Sequence, residues 1–362
     1  EETRLELVDE IARVQLDQLM DRNAASESYR RALGIDPDYA PALSFFVDFL
    51  YDGERWAEAR PLFARYAKVV EAGSGEDDED RLAITGFHYK HGVVLNSLGE
   101  EAEALERFQA ALEITPNHLP SLEAGFPLFV DSGDWEGAQR TGKAILGLRG
   151  DAGDAAAVTQ LHLGLGQAEL ELGNSSAALK SFKKAIEKTP NDVRALEGLA
   201  RVHRGARDWN SMLSTYNSII KYSKEPAQAV AAYLTKGDVL DCELGFTDKA
   251  VLHFEKILMI DKTNFGAAAR LAQIAASRGD TERAMAFADR ARGAARSEAE
   301  RVQAELLSRI CGADESVDMA SLTGGVEGGG GVLSAFREAI GESSEVSRVD
   351  AARAFRTTLP RP

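Results

Sequence analysis

One recurring stretch, ALERFQAALEITP at residues 104–116, decides the fold. Its Ala104, Phe108 and Ala111 follow helical spacing, so small, aromatic and small side chains share one face of a helix. Pro116 ends that helix, because proline disfavours helical backbone at the residue before it. The same spacing recurs at Ala25, Tyr29, Ala32 and Pro37, and again at Ala178, Phe182, Ala185 and Pro190. The sequence therefore predicts three copies of one short helix with the same face.

Glycines upstream of these helices predict a partner helix. Gly99 and Gly173 each lie five residues before the first alanine of a copy and mark a turn between two helices. Gly92 and Gly166 fall inside the preceding helix, where glycine costs about 1 kcal/mol relative to alanine. We expect that cost to be offset by close packing, since a missing side chain lets the neighbouring helix approach.

These residues resemble the signature of the tetratricopeptide repeat, a unit of 34 residues that folds as a helix–turn–helix. The resemblance covers roughly residues 5–295 and implies an all-α fold, a right-handed α-solenoid of antiparallel helix pairs. The eight expected repeats are residues 6–39, 40–70, 85–118, 119–148, 159–192, 193–224, 230–264 and 265–296.

The spacing of the closing prolines predicts the domain organisation. It exceeds two repeats twice, so we expect longer loops near 71–84 and 149–158. Several repeats are degenerate; the seventh, for example, has Lys262 where proline is usual. We expect a superhelix with a capping helix over 1–311, a Gly-rich linker over 312–332 and a short helical tail over 333–362.

The capping helix and the tail carry their own signals. Ser297 precedes Glu298-Ala299-Glu300, a helix-start pattern, so residues 297–311 are expected to cover the last repeat. The tail bears Arg348, Arg353 and Arg356 with few acids. Two interpretations stay open: a tethered segment that docks elsewhere, or one that folds back on the acidic repeats of its own chain.

Charge and composition narrow the function classes. The net charge of −16 repels nucleic acid and anionic membranes, so neither partner is expected. No apolar run approaches the roughly 18 residues that span a bilayer. The chain starts without methionine or a signal peptide, so we expect a piece of a longer protein. Two cysteines cannot build a disulfide framework, which favours a reducing cytoplasm and leaves the periplasm as the alternative.

Catalytic signatures are missing from the sequence. It has no Gly-x-Ser-x-Gly, His-Glu-x-x-His, phosphate-binding loop or Cys-x-x-Cys motif, so we expect no enzyme activity and no cofactor. His88 and His91 have the spacing for a shared metal. Because His88 and His162 occupy the same repeat position, which usually holds a core side chain, packing is the favoured interpretation and no metal is expected.

The resemblance implies that the first helix of each repeat lines a concave groove and contacts a protein or peptide partner. The residues at such positions are Tyr89, Val93 and Asn96 in the third repeat, Gln160, Leu163 and Gln167 in the fifth, and Arg194, Arg201 and Arg204 in the sixth; Lys90 in the third and Arg270 in the eighth lie beside such positions. The family's known carboxylate clamp of lysine and asparagine does not fit, because Pro41, Asp48 and Glu123 occupy such positions.

The sixth repeat gives the most specific of these predictions. Arg194, Arg201 and Arg204 fall on one helical face, where guanidinium groups suit an acidic partner. The alternative is that they are solvated and pair with Glu197 and other acids of the chain. The acidic run at 76–80 has a similar pair of interpretations, a solvated loop or a site for a basic partner.

The predicted function is a protein-interaction scaffold or adaptor. Repeats of this style look like those of large bacterial proteins that organise motility, pilus, secretion or polarity machinery, which is an analogy of fold. Two alternatives stay open: a non-catalytic regulatory region of a larger enzyme, and a structural protein that self-associates by placing its tail in the groove of a neighbouring copy.

Overall fold

The computed structural model describes residues 2–71, 78–313, 316–324, 330–341 and 345–359. The chain divides into two compact bodies, Glu1–Lys188 and Thr189–Pro362, each described by itself. The N-terminal body holds α1 (Glu2–Asp17), α2 (Arg22–Ile35), α3 (Ala40–Asp52), α4 (Trp56–Glu71), α5 (Asp78–Ser97), α6 (Glu101–Ile114), α7 (Leu119–Asp131), α8 (Trp135–Arg149), α9 (Ala155–Glu171) and α10 (Ser175–Lys188).

The C-terminal body continues the same pattern and adds a tail. Its elements are α11 (Val193–Gly205), α12 (Trp209–Tyr222), α13 (Pro226–Asp238), a π-helical turn (Val239–Glu243), α14 (Thr247–Ile260), α15 (Phe265–Ser277), α16 (Thr281–Ala294), α17 (Glu298–Cys311), β1 (Ser316–Asp318), α18 (Met319–Thr323), α19 (Gly330–Ile340), β2 (Glu345–Ser347), α20 (Arg348–Phe355) and a 3₁₀ turn (Arg356–Thr358).

Each repeat is a helix pair, and in the third repeat the residues that the sequence singled out form the contact between the two helices. Ala104, Phe108 and Ala111 are fully buried. A Cβ built on Gly92 would lie 2.7 Å from Cε1 of Phe108, so only glycine lets the ring of α6 reach the backbone of α5. Gly99 has a φ of +79°, which suits the turn between the two helices. The all-α solenoid of helix pairs is thereby confirmed.

The two expected longer loops are shorter than the sequence suggested. Helix α5 begins at Asp78, so the second half of the acidic run forms its first turn, where carboxylates favour the positive end of the helix dipole. Glu76 and Asp77 lie outside the described residues. The other connection is confined to residues 150–154, because Asp154 caps α9 by accepting a hydrogen bond from the Ala157 amide at 2.7 Å.

The capping helix is α17, and the segment after it departs from the expected linker. Ser297 and Glu300 form a reciprocal capping box at its start. The range 312–332 includes strand β1, helix α18 and the start of α19. Strands β1 and β2 pair antiparallel, with Val317 opposite Val346, a short ladder in an otherwise helical body.

The tail folds back on its own chain, the second of the two open interpretations. Helix α20 packs on α15 and α17. Phe336, Ala352, Phe355 and Leu359 are buried in one hydrophobic cluster with α14, α15, α16 and α17. Because α15 is the first helix of the eighth repeat, the tail covers the side of that repeat on which the sequence placed a partner groove.

Within the described part of the chain, no helix is both long and apolar enough to cross a bilayer.

Candidate partner-binding site

The residues predicted to contact a partner lie on α5 and α9 in the N-terminal body and on α11 and α15 in the C-terminal body. Each is thus on the first helix of its repeat. Their surroundings differ, and that difference decides which of them a partner can reach.

In the third repeat, Tyr89 and Lys90 are tied to the preceding repeat. Nζ of Lys90 lies 2.6 Å from Oδ1 of Asp48 and 5.7 Å from the ring centre of Tyr51. Burial raises the pKa of Tyr51 to about 12, and a hydrogen bond with Tyr89 adds to the effect. Val93 is half-buried and Asn96 is exposed. Tyr51 and Tyr89 thus form a fixed aromatic surface, which we call the aromatic floor, with Asn96 at its polar edge.

A groove of about 450 Å³ lies beside the aromatic floor, between α3, α4 and α5. Phe63, Tyr66 and Phe87 supply its apolar walls, and Lys90 is the predicted residue that reaches it. The α4 side chains were missed because the prediction considered first helices alone.

The two histidines of this repeat are core residues, as the packing interpretation held. The His91 ring stacks on Phe63 with 5.2 Å between ring centres. Burial lowers the pKa of His91 to about 4, with a further contribution from Arg107. Since His88 is also buried, packing accounts for both positions.

The fifth repeat presents a modest polar strip. Gln160 is exposed, while Leu163 and Gln167 are half-buried. Nε2 of Gln167 donates to Oε1 of Glu171 at 2.7 Å, along the same helix. All three are thus at least partly exposed along α9.

In the sixth repeat the three predicted arginines are all exposed, yet they differ in use. Nη2 of Arg194 lies 2.7 Å from Oδ2 of Asp192, the capping residue of the same helix. Arg204 lies at the other end of α11, where it lines a pocket of about 270 Å³. All three guanidinium groups are thus exposed on α11, and that of Arg204 borders a cavity.

We call this cavity the arginine pocket; it is lined by Arg204, Trp209, Met212, Thr235, Asp238, Val239, Asp241, Cys242, Glu243, Arg270, Gln273, Arg356 and Leu359. Its walls come from the sixth, seventh and eighth repeats and from the tail. Three guanidinium groups and three carboxylates share it. Charge is thus balanced within the pocket, and any ligand must compete with ion pairs already formed.

The structure corrects the role predicted for Arg270. Its side chain is buried, with Nη2 donating to Oδ2 of Asp238 at 2.7 Å and Nη1 to the carbonyl oxygen of Gly266 at 3.1 Å. A guanidinium held in this way is structural, because breaking a buried charge pair is costly. Helix position alone gave the wrong role, since the carboxylate comes from the neighbouring repeat.

The tail forms one side of the arginine pocket. Nη2 of Arg356 lies 3.1 Å from Oδ2 of Asp241, and Leu359 is buried beside it. The side-chain amide of Gln303 donates to the carbonyl oxygen of Thr358, which holds the 3₁₀ turn onto α17. An internal peptide thus occupies this surface with one arginine and two apolar anchors, Phe355 and Leu359.

Comparison with family models identifies two stretches of the chain. Two family models, each described as tetratricopeptide repeat, match residues 163–210 and 243–310. Both matched ranges contain paired helices of the kind described above. These two stretches are tetratricopeptide repeats.

Several solved structures are similar to this chain. A MamA protein is 21% identical over 49% of this chain and 92% of its own, with a TM-score of 0.42. YrrB, described as a TPR protein with an unusual peptide-binding site, is 18% identical over 50% of this chain and 88% of its own, with a TM-score of 0.41. The C-terminal part of a TPR repeat-containing protein from Cytophaga hutchinsonii is 16% identical over 74% and 99%, with a TM-score of 0.45. No curated protein matches the chain.

Sequence reasoning missed the π-helical turn of the seventh repeat, which brings Val239, Asp241 and Glu243 to the arginine pocket. A signal for it exists. The interval from Gly237 to Phe254 is one residue longer than the equivalent interval from Gly92 to Phe108. An extra residue in a tetratricopeptide repeat helix is accommodated by widening one turn, and such turns are frequent at functional sites.

Proposed function

We propose that this tetratricopeptide repeat protein is a non-catalytic scaffold that binds a segment of a protein partner on the first helices of its repeats. The observation that carries the proposal is the tail, which already lies on α15 as a helix with apolar anchors. A surface that binds one helical segment in this way has the chemistry to bind another. The cytoplasm is the proposed location, supported by the free thiols of Cys242 and Cys311.

The sixth repeat supports the finer part of the proposal, an acidic segment in the partner. Arg201 and Arg204 are exposed neighbours on α11, one helical turn apart. Arginine pairs with carboxylates through two parallel hydrogen bonds, which gives both strength and orientation. Acidic side chains of a partner would engage this pair while its apolar residues contact Trp209 at the mouth of the arginine pocket.

The test is a quantitative pull-down from lysate of the source cell with the intact chain and a variant in which Arg194, Arg201 and Arg204 are replaced by Glu. The matched control replaces Lys180, Lys183 and Lys184 by Glu, the same charge change on exposed positions of a second helix. We expect a partner that is retained by the intact chain and the control and lost by the arginine variant. Equal retention by both variants would remove the arginine face from the proposal.

Self-association through the tail is the second candidate, favoured by the same docked segment. The contacts that α20 makes with α15 could equally form between copies, as in a domain swap. A molar mass that rises with protein concentration in light scattering would support it, whereas a constant monomer mass would leave the tail as an internal segment.

A further inference from the structure

A second groove lies on the other side of α13 from the arginine pocket. It has a volume of about 520 Å³ and runs between α12, α13 and α14. On α13 and the turn after it, Thr235, Asp238 and Val239 face the arginine pocket, whereas Lys236 and Leu240 face this groove. We call it the lysine groove. It contains none of the residues assigned to the proposed function above.

Three basic side chains line this groove. Lys236, Lys249 and Lys256 line the groove, and none of them forms an ion pair with a carboxylate that the structure describes. The acid at the rim, Glu255, lies instead 3.3 Å from Nη2 of Arg283. In a chain of net charge −16, acids are in excess, yet the carboxylate at this groove pairs with an arginine and not with any of the three lysines.

Two further groups show that the groove is positive and incompletely satisfied. Lys236 is buried at 7% exposure and donates to Oδ1 of Asn217; burial, with help from Lys256, lowers its pKa. Nδ1 of His253 is buried without a hydrogen-bond partner. Burial lowers the pKa of His253, and Lys236 and Lys256 lower it further, which reflects the positive charge around the imidazole.

Exposed apolar side chains run alongside the lysines. Leu252 is 60% exposed and Met259 is 79% exposed, and both line the groove. They are seven residues apart on α14, as are Lys249 and Lys256, so an apolar row and a basic row run in parallel along one helical face. Two turns of helix separate the members of each row by about 10 Å.

We propose that the lysine groove docks an acidic amphipathic segment of a partner protein. Its apolar side chains, two helical turns apart, would cover Leu252 and Met259, and carboxylates between them would pair with Lys249 and Lys256. A short segment satisfies both rows at once. A long polyanion is disfavoured, because the chain as a whole repels it and nothing apolar on its backbone matches the exposed leucine and methionine.

The test uses a designed probe of about 20 residues, long enough to form a helix, with leucine at every seventh position and glutamate beside it. A counterpart has lysine in place of each glutamate. Binding to the full chain is measured by fluorescence anisotropy. We expect the acidic probe to bind, the basic probe not to bind, and affinity for the acidic probe to fall as salt is raised, since exposed ion pairs are screened.

Two paired variants locate the site. Lys249→Glu with Lys256→Glu should weaken binding about tenfold or more through charge, and Leu252→Ser with Met259→Ser should weaken it through loss of apolar area. Lys180→Glu with Lys183→Glu is the matched control on α10 and should bind as the intact chain does. Circular dichroism verifies that each variant keeps its helices.

Three outcomes would overturn the proposal: no binding of the acidic probe by the intact chain, equal affinity for the lysine variant and its control, or capture of phosphatidylserine vesicles or single-stranded DNA through Lys249 and Lys256 in place of the probe.

Discussion

The third and seventh repeats share a contact between a glycine and a phenylalanine ring, but the interval between those two residues is one residue longer in the seventh. In the third, the ring of Phe108 lies against Gly92; in the seventh, the ring of Phe254 lies against Gly237. The seventh repeat reaches this contact across a longer interval, and a π-helical turn absorbs the extra residue. That turn borders the arginine pocket, whereas the corresponding stretch of α5 is regular helix.

The difference teaches that the glycine–aromatic contact and the end of the first helix are independent. A buried ring fixes how two helices pair, because the interior is close-packed and tolerates little change in volume. The end of the first helix is less restricted in the seventh repeat, since Asp241 and Glu243 line the arginine pocket there. An insertion there can reposition carboxylates such as Asp241 without disturbing the pair.

The largest expected effect comes from removing the rings. Phe108→Ala and Phe254→Ala should each destabilise their own helix pair by about 3–5 kcal/mol, because each leaves a cavity opposite a glycine that cannot fill it. Native-state hydrogen exchange of the amides in α5 and α6, or in α13 and α14, measures this locally, which a repeat array requires.

Phe246→Ala is the control, because that ring is half exposed and its loss should have little effect. If Phe254→Ala lowers the stability of its helix pair far less than Phe108→Ala does, the two contacts are not equivalent. The π-helical turn would then have loosened the seventh pair.

The fold was predictable because its signal is local. Glycine, alanine, aromatic and proline positions lie within one repeat, and the contact they encode is between adjacent helices, as Gly92 and Phe108 illustrate. The tail was not predictable in the same way. Helix α20 has eight residues and no repeat signature, and its place on α15 depends on packing of Phe355 and Leu359 across the fold.

The candidate site was predictable in part for a related reason. Helix position placed Arg201 and Arg204 on the exposed side of α11, where the structure has them. The same rule failed for Arg270, because its environment is set by Asp238 of the preceding repeat and by the docked tail. Such partners come from outside the repeat, so no count of positions within it reveals them.

An intermediate effect is expected from pH, through His91 in the third repeat and His253 in the seventh. Burial lowers the pKa of both His91 and His253 to about 4. Below the ordinary histidine pKa of about 6.5 the unfolded chain takes up protons that the folded chain does not, so stability present above that pH is lost as pH falls towards 4. For His91 we expect a loss of about 2 kcal/mol at pH 5.

His91→Phe keeps the stack on Phe63 and should remove most of this dependence in the third repeat, measured by exchange or urea unfolding across pH. The charges that add to the effect of burial on the histidine pKa differ between the two repeats. Arg107 assists burial at His91, whereas Lys236 and Lys256 assist it at His253. An acidic peptide bound in the lysine groove should therefore raise the pKa of His253 and leave that of His91 unchanged, as read from imidazole proton shifts.

The smallest effect should come from the ion pair that links the π-helical turn to the tail. Asp241 accepts a hydrogen bond from Oγ1 of Thr247 at 2.7 Å and pairs with Arg356, which is partly exposed. Losing such a pair costs about 1 kcal/mol, so Arg356→Ala should raise hydrogen exchange in α20 several-fold while α5 and α6 stay unchanged. A double-mutant cycle with Asp241→Ala isolates the pair itself. If the two substitutions are simply additive, the inserted residue of the seventh repeat does not hold the tail, and Phe355 and Leu359 hold it by packing alone.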